Sequence, residues 1–195
     1  MRGALKILVL AAALAVALAP SVARAQSYGY VVPWASTQAG SGFENGRAGV
    51  GVAAGGMGDG IIGGEVDFGY SPSFFGTQND FGNNTVINVM GNLVVGAPIG
   101  RTLGANVTPY GTFGLGLLRT QIDGGTIAKV SSSNNMFGWD AGGGLMGFFN
   151  EHVGLRGDVK YLRGFQNTNT GVTTIDLNGS GQLHFWRASI GVMIR

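Results

Sequence analysis

The stretch Val153 to Phe165 reads VGLRGDVKYLRGF, and apolar and polar residues alternate along it with a period of two. This is the period of a β-strand, in which successive side chains point to opposite faces of a sheet. One face is therefore predicted to be apolar and the other polar. The first face carries Val153, Leu155, Gly157, Val159 and Tyr161, and the second carries Gly154, Arg156, Asp158 and Lys160.

The same alternation extends outward from this strand over most of the chain after Gln26. In the last predicted strand Trp186 and Ile190 share one face, and Arg187 lies on the other. No helix is predicted, because 37 glycines interrupt nearly every window and each costs about 1 kcal/mol relative to alanine in a helix. The pattern predicts eight strands, at 28–40, 46–56, 61–71, 85–98, 107–121, 135–149, 153–166 and 183–195.

The connections between the predicted strands differ in length at the two ends of the sheet. Most connections after odd-numbered strands are long and polar, whereas those after even-numbered strands are short. Short turns at one end and long loops at the other are typical of outer-membrane barrels. The long loops are 72–84, 122–134 and 167–182, the short turns are 56–60, 98–106 and 150–152, and the connection 41–45 is a short exception.

The two faces indicate what surrounds the sheet. The apolar face carries no charge across the middle of a strand, and the opposite face is rich in Gly, Thr and Asn with few charges. In lipid every backbone donor must be paired, so only helices or closed sheets span a membrane. An apolar outside and a polar inside therefore predict an all-β fold, an eight-stranded antiparallel up-and-down transmembrane β-barrel.

Composition excludes several other classes of protein. Hydrophobic residues make up 45% of the chain and charged residues 11%, which is the opposite of a disordered protein. Glycine does not recur at every third position, as a collagen helix requires. The chain has no cysteine, which excludes a disulfide scaffold, a thiolate metal site and a cysteine nucleophile.

The first 25 residues are predicted to be a secretory signal peptide, and residues 26–195 the barrel domain. Arg2 and Lys6 precede an unbroken apolar run at 7–19, which is too short to span a bilayer. An A-x-A site ends at Ala25, so cleavage is expected between Ala25 and Gln26. The alternative is an uncleaved membrane anchor.

Charge in the predicted mature chain argues against a nucleic-acid partner. Three basic residues and no acidic ones lie in the first 25 residues, which leaves nine basic and ten acidic residues for the mature chain. No cluster of lysines and arginines remains there. Nucleic-acid binding proteins present such a cluster on one face.

Several segments resemble small bacterial outer-membrane β-barrel proteins. PYGTFGLG (Pro109 to Gly116), GWDAGGGLMGFF (Gly138 to Phe149) and HVGLRGDVKYLRGF (His152 to Phe165) look like the later strands of that family. GGEVDFGYSPSFFG (Gly63 to Gly76) and MGNLVVGAPIG (Met90 to Gly100) resemble its uncharacterised barrel-domain branch. The resemblance implies an OmpA- or OmpX-like eight-stranded barrel with both termini in the periplasm, and it implies no particular activity.

The signal peptide and the alternating faces predict a location in the bacterial outer membrane, reached by export. The expected partners are outer-membrane lipid and lipopolysaccharide, the barrel-assembly machinery and an extracellular partner of the loops. The chain departs from the family pattern at its last strand, where Ile194 is present but the terminal aromatic that the assembly machinery reads is missing.

No catalytic, cofactor or metal site is predicted. The segment 142–147 matches G-x-G-x-x-G, but a dinucleotide site needs a strand before it and a helix after it, and here it lies inside a strand. His152 and His184, the two histidines, are expected at opposite ends of the barrel. Ser189 and His184 are expected on opposite faces of one strand, so they would not form a nucleophile and base pair. The protein is accordingly predicted not to be an enzyme.

The aromatic residues cluster near the ends of the predicted strands. They are predicted to form the interfacial girdle of a membrane barrel, and an aromatic surface for a partner is the alternative. Phe74, Phe75 and Phe81 are the exceptions, because they lie in or beside a long loop and are candidate loop contacts. The girdle prediction covers Tyr28, Tyr30, Trp34, Phe68, Tyr70, Phe148, Phe149, Tyr161 and Trp186.

Strand parity points seven charged side chains into the barrel. Eight strands enclose an interior just wide enough for side chains, so a structural salt-bridge cluster is predicted there. The alternative is a pathway for ions or small solutes. These residues are Glu65, Asp67, Asp140, Arg156, Asp158, Lys160 and Arg187.

Taken together, the sequence predicts an outer-membrane barrel with a plugged polar lumen and a structural or surface-interaction role through long extracellular loops. A narrow porin-like channel is the alternative. A lipid-modifying outer-membrane enzyme is a third and weaker interpretation.

Overall fold

The computed structural model describes residues 28–40, 46–58, 61–75, 83–97, 106–123, 132–167 and 182–195. They form eight antiparallel strands, each paired with its neighbours in the chain, and the pairing of the first strand with the last closes the barrel. The predicted fold is confirmed. The strands are β1 (Tyr28–Ala39), β2 (Arg47–Gly58), β3 (Ile62–Pro72), β4 (Asn83–Gly96), β5 (Asn106–Asp123), β6 (Ser132–Phe148), β7 (Val153–Asn167) and β8 (Gln182–Ile194).

The contrast in length between the two kinds of connection is weaker than predicted. The ladder between β5 and β6 continues as far as the pair Ile122 and Ser132, because backbone pairing proceeds whether or not the side chains are apolar. That extension shortens the connection between them to 124–131, and the connection 97–105 at the other end is no shorter. The end that carries 168–181 is called the loop end here, and the end that carries 149–152 is called the turn end.

The outer surface of the barrel is apolar along the middle of its strands. Leu93, Leu117, Val159 and Ile190 are exposed on it, with between 48% and 62% of each residue accessible. The residues that alternate with them in β4, β5, β7 and β8 face inward. The predicted parity of these strands is therefore confirmed. No helix in the described part of the chain is both long and apolar enough to cross a membrane.

The interior is layered rather than uniformly polar. Along β8, apolar side chains near the loop end give way to Arg187, and apolar packing returns at Met193 near the turn end. The sequence predicted a polar interior, but so narrow a barrel packs its interior as a protein core. The loop-end cluster is Phe74, Phe75, Val86, Leu118, Met136, Leu162, Leu183 and Phe185. The turn-end cluster is Tyr30, Val32, Trp34, Ala53, Met57, Val94, Tyr110, Met146 and Met193.

Gly51 in β2 makes room for the largest side chain of this interior. A Cβ at this position would overlap the backbone carbonyl of Phe68 and the indole ring of Trp34. The indole ring can take this position against β2 only because position 51 has no side chain.

Gly51→Ala is expected to lower the free energy of unfolding by about 1–3 kcal/mol, the usual cost of overpacking a filled core. Denaturant unfolding of the barrel in lipid vesicles measures the change. Gly91→Ala is the matched control, because its added Cβ would meet nothing closer than the Leu115 carbonyl oxygen at 3.8 Å. Equal costs at the two positions would contradict the close approach of Trp34.

Candidate functional site

The seven charged side chains predicted to face inward lie together in the middle of the barrel. They come from β3, β6, β7 and β8, and β3 and β7 stand on opposite walls because they are four strands apart in the closed order. Their ion pairs connect all seven into one group, called the charge network here. The charge network consists of Glu65, Asp67, Asp140, Arg156, Asp158, Lys160 and Arg187.

Arg156 joins the two walls of the barrel. Both terminal nitrogens of its guanidinium bind the Glu65 carboxylate, and Nη2 lies 3.1 Å from Oε1. Its Nε donates to Asp158 Oδ2 at 3.0 Å. The Tyr110 ring lies against the guanidinium, with 4.6 Å between the guanidinium carbon and the ring centroid. This two-pronged geometry is the strong form of an arginine–carboxylate pair.

Lys160 is the centre of the charge network. Its Nζ lies 3.0 Å from Asp67 Oδ2, 3.5 Å from Glu65 Oε1 and 4.0 Å from Asp140 Oδ2. The residue is 1% exposed. A buried ammonium is tolerated only where carboxylates compensate the loss of its hydration, and here carboxylates from β3 and β6 do so.

Arg187 closes the charge network on the side of β1. One of its terminal nitrogens binds Asp67 Oδ2, so Asp67 is shared between Arg187 and Lys160. The guanidinium carbon lies 4.3 Å from the centroid of the Trp34 ring, and Trp34 Nε1 donates to Asp67 Oδ1 at 3.1 Å. The tryptophan therefore supports both members of this ion pair.

Neutral donors complete the coordination of the carboxylates. Tyr30 Oη donates to Glu65 at 3.0 Å. Tyr110 Oη donates to Asp158 Oδ2 at 2.7 Å, and Ser189 Oγ donates to its other oxygen at 2.5 Å. These hydrogen bonds supply polar partners that buried charges require in addition to their counter-ions.

The girdle prediction is wrong for the aromatics of β1 and for Phe148. Tyr30 and Trp34 are buried inside the barrel, and Tyr28 and Phe148 pack against the turn-end cluster. Nearness to a strand end does not say which face a ring occupies. Strand parity is the signal that could have shown that these rings face inward, because Tyr28, Tyr30 and Trp34 lie at even positions of one strand. In β1 the residues at odd positions are apolar as well, so the sequence does not reveal which face is the inner one. Trp186 and Tyr161 do lie on the outer surface, with 5.0 Å between their ring centroids.

Two of the candidate loop contacts are not at the surface. Phe74 is 0% exposed and Phe75 is 5% exposed, and both belong to the loop-end cluster. A loop residue carries no periodicity that reveals an inward course, so the sequence predicts a surface position for both. Phe81 lies outside the described residues.

The described residues hold no arrangement typical of a metal site or a hydrolase. They contain no group of three or more His, Cys, Asp and Glu residues that could hold a metal ion. Ser189 faces Asp158 inside the barrel, whereas His184 lies outside with its ring 6.2 Å from that of Tyr161. The segment 142–147 lies within β6, where a nucleotide-binding turn would need a helix to follow.

The space left beside the charge network is small. A cavity of about 10 Å³ lies between Trp34, Asp67, Arg156 and Arg187. This volume is close to the least that holds one water molecule. The arrangement is thus suited to holding fixed charges and has little room for a hydrated ion.

Comparisons with known proteins are consistent with this architecture. A family model described as the outer membrane protein beta-barrel domain matches residues 8–192. Among solved structures the chain is similar to Neisserial surface protein A, with 16% identity, coverage of 86% of this chain and 97% of that chain, and a TM-score of 0.63. The comparison with curated proteins found no match.

Two further solved structures share the fold. The N-terminal β-barrel domain of Pseudomonas aeruginosa OprF has 15% identity, coverage of 87% and 98%, and a TM-score of 0.52. Ail, the attachment invasion locus protein of Yersinia pestis, has 14% identity, coverage of 88% and 100%, and a TM-score of 0.51. At these identities the likeness shows the fold alone.

Proposed function

This chain belongs to the outer membrane protein beta-barrel domain family, and we propose that it stands in the bacterial outer membrane as a closed, non-conducting barrel that acts through its outer surface and its loops. The charge network is the observation that carries this proposal. Its ion pairs join β3 to β7 across the lumen. A side-chain bridge from wall to wall supports a closed lumen.

The apolar layers on both sides of the charge network support a closed lumen. An ion entering from either end would first cross the loop-end cluster or the turn-end cluster, and both are buried and apolar. Apolar constrictions block ions because they exclude water. Beyond them the charges of Lys160 and Asp67 are already compensated by one another, so they offer little to replace the hydration of an ion.

If the lumen is closed, the protein acts through its outer face and its loops. We propose that the outer face contacts membrane lipid and lipopolysaccharide, and that the barrel-assembly machinery inserts the chain into the membrane. We further propose that the loop end faces the exterior and binds an extracellular partner. Export would follow from the first 25 residues, with cleavage between Ala25 and Gln26. We propose no enzymatic activity, because Ser189 and His184 lie on opposite sides of the barrel wall.

The purified protein in planar lipid bilayers is expected to give no steady single-channel current, because the charge network and the two apolar layers close the lumen. The same measurement on Arg156→Ala/Lys160→Ala tests the reason. Removing both side chains takes away the bridge but leaves the two apolar layers, so only brief currents above the baseline of the unmutated protein are expected. Large, steady currents from the unmutated protein would overturn the closed barrel and favour the narrow channel.

A further inference from the structure

Aromatic rings are gathered on one side of the outer surface of the barrel. Phe113, Trp139, Tyr161 and Trp186 come from four successive strands, β5 to β8, and the centroids of neighbouring rings are 6.3, 5.6 and 5.0 Å apart. These four rings are called the aromatic face here. The outer face of β2, by contrast, carries only Ala, Val and Gly. The rings therefore form a patch on one side rather than a girdle that runs evenly around the barrel.

A second group of rings lies on the same side, closer to the loop end. Phe137 in β6 and Phe165 in β7 have ring centroids 6.1 Å apart, and their planes are inclined by only 14°. They are 46% and 53% exposed. This nearly parallel, exposed pair is called the platform here.

The platform lies at the edge of the apolar band of the barrel. The outward residues of β7 are uncharged from Val153 to Tyr161, a stretch that rises about 26 Å along the strand and about 20 Å along the barrel axis at the usual tilt. An apolar band of about 25 Å therefore ends near Arg163, and Phe165 lies beyond it. At that height the platform meets lipid headgroups rather than acyl chains.

Two outward arginines flank the platform. Arg119 in β5 is paired with Asn135 and Arg163 in β7 is paired with Trp139, which are the residues two positions to either side of Phe137. Each arginine is therefore a diagonal neighbour of Phe137, about 7–8 Å from it. Because they lie on opposite sides of this ring, the two arginines are about 15 Å apart. Both are exposed.

The surroundings of the two arginines favour an anionic ligand. His184 in β8 is paired with Arg163, and none of the side chains described on the outer face of β5 to β8 is acidic. A guanidinium has five N–H donors and binds a phosphate group with two of them. Arg163 can therefore bind a phosphate and keep its other contacts.

From these observations we propose that this side of the barrel is a binding site for lipid A, the membrane anchor of lipopolysaccharide. Lipid A is a disaccharide that carries several acyl chains and a phosphate group at each end. Its phosphates would bind Arg119 and Arg163, the C–H faces of its sugars would pack on the platform, and its acyl chains would lie along the aromatic face. A phospholipid has one phosphate and no pair of sugar rings, so it would leave part of the site unused.

This inference rests on the proposed contact with lipopolysaccharide, and it adds where on the barrel the contact is made. Native mass spectrometry of the purified protein in detergent micelles measures the dissociation constant of lipid A. Arg119→Gln and Arg163→Gln are each expected to raise it at least about fivefold, because each removes charge-assisted hydrogen bonds to a phosphate.

Arg195→Gln is the matched control, because it removes the same charge at the turn end. It is expected to leave the dissociation constant of lipid A unchanged. Heat-modifiable migration on gels checks that each variant is folded.

Two other lipids and a double variant test the remaining groups. Lipid A without its phosphates and phosphatidylglycerol are each expected to bind at least about tenfold more weakly than lipid A, because the first lacks the anions and the second lacks the sugars and one phosphate. Phe137→Leu/Phe165→Leu keeps the platform apolar but removes its flat rings. It is expected to weaken binding of lipid A at least about threefold and to leave binding of phosphatidylglycerol unchanged.

Three outcomes would overturn the proposal. Equal dissociation constants for lipid A and phosphatidylglycerol would show a surface that attracts any anionic lipid. Binding of lipid A that neither arginine substitution changes would place lipid A elsewhere on the barrel. An equal loss in Arg195→Gln would assign the effect to net charge. None of these outcomes bears on the closed lumen, which is tested separately by its current.

Discussion

Glu65→Leu is expected to lower the free energy of unfolding by about 3–5 kcal/mol, the largest effect of any single change considered for this barrel. The Glu65 carboxylate accepts from Arg156, Lys160 and Tyr30, all of which are buried. Its removal leaves the buried guanidinium of Arg156 and the buried ammonium of Lys160 with one carboxylate fewer. Unfolding of the protein by guanidinium chloride in lipid vesicles measures the loss of stability.

The matched control is the double variant Glu65→Leu/Arg156→Met. Replacing both members of a buried ion pair by apolar residues is often close to neutral, whereas removing one member is costly. The double variant is therefore expected to be more stable than Glu65→Leu alone. If the double variant loses as much stability as Glu65→Leu and Arg156→Met lose together, Glu65 and Arg156 do not act as a pair, and the proposed bridge between the two walls is wrong.

Val159→Arg is expected to cost about 2–4 kcal/mol, because an arginine on the lipid face near the bilayer midplane is strongly unfavourable. Val159 is 48% exposed on the outer surface, near the middle of β7. Ile190→Arg, from the neighbouring strand and the same face, is expected to behave alike. The same unfolding experiment in lipid vesicles that is used for Glu65→Leu measures the change in the free energy of unfolding.

Val153→Arg is the control for this depth dependence. Val153 begins β7 and is also exposed on the outer surface, but it lies at the turn end, where the cost of arginine falls to about 0–1 kcal/mol. A cost that is the same at both positions would contradict a barrel whose middle is surrounded by lipid. Together with the Glu65 variants, this comparison separates stabilisation by the interior from stabilisation by the membrane.

These predictions concern different parts of the molecule and do not depend on each other. The Glu65 variants test the interior of the barrel, and the Val159 and Ile190 variants test its outer surface.

The number of strands and, except in β1, their faces followed from the sequence alone. An alternation such as Arg156, Gly157, Asp158 needs no information from distant parts of the chain, because the pleat turns each side chain to the face opposite its neighbour. The same local rule pointed Glu65 and Arg187 inward. Closure followed from the apolar outer face, since an open sheet edge is not tolerated in lipid.

Only the tertiary structure decided which inward residues meet. Arg156 and Glu65 are 91 positions apart, and their contact depends on the register of every ladder between them. The inward course of Phe74 and the donor role of Trp34 also depend on the space that glycines and the curvature of the wall leave. Alternation along a strand says which face a residue occupies, but which partner lies across the lumen is set by closure of the whole sheet.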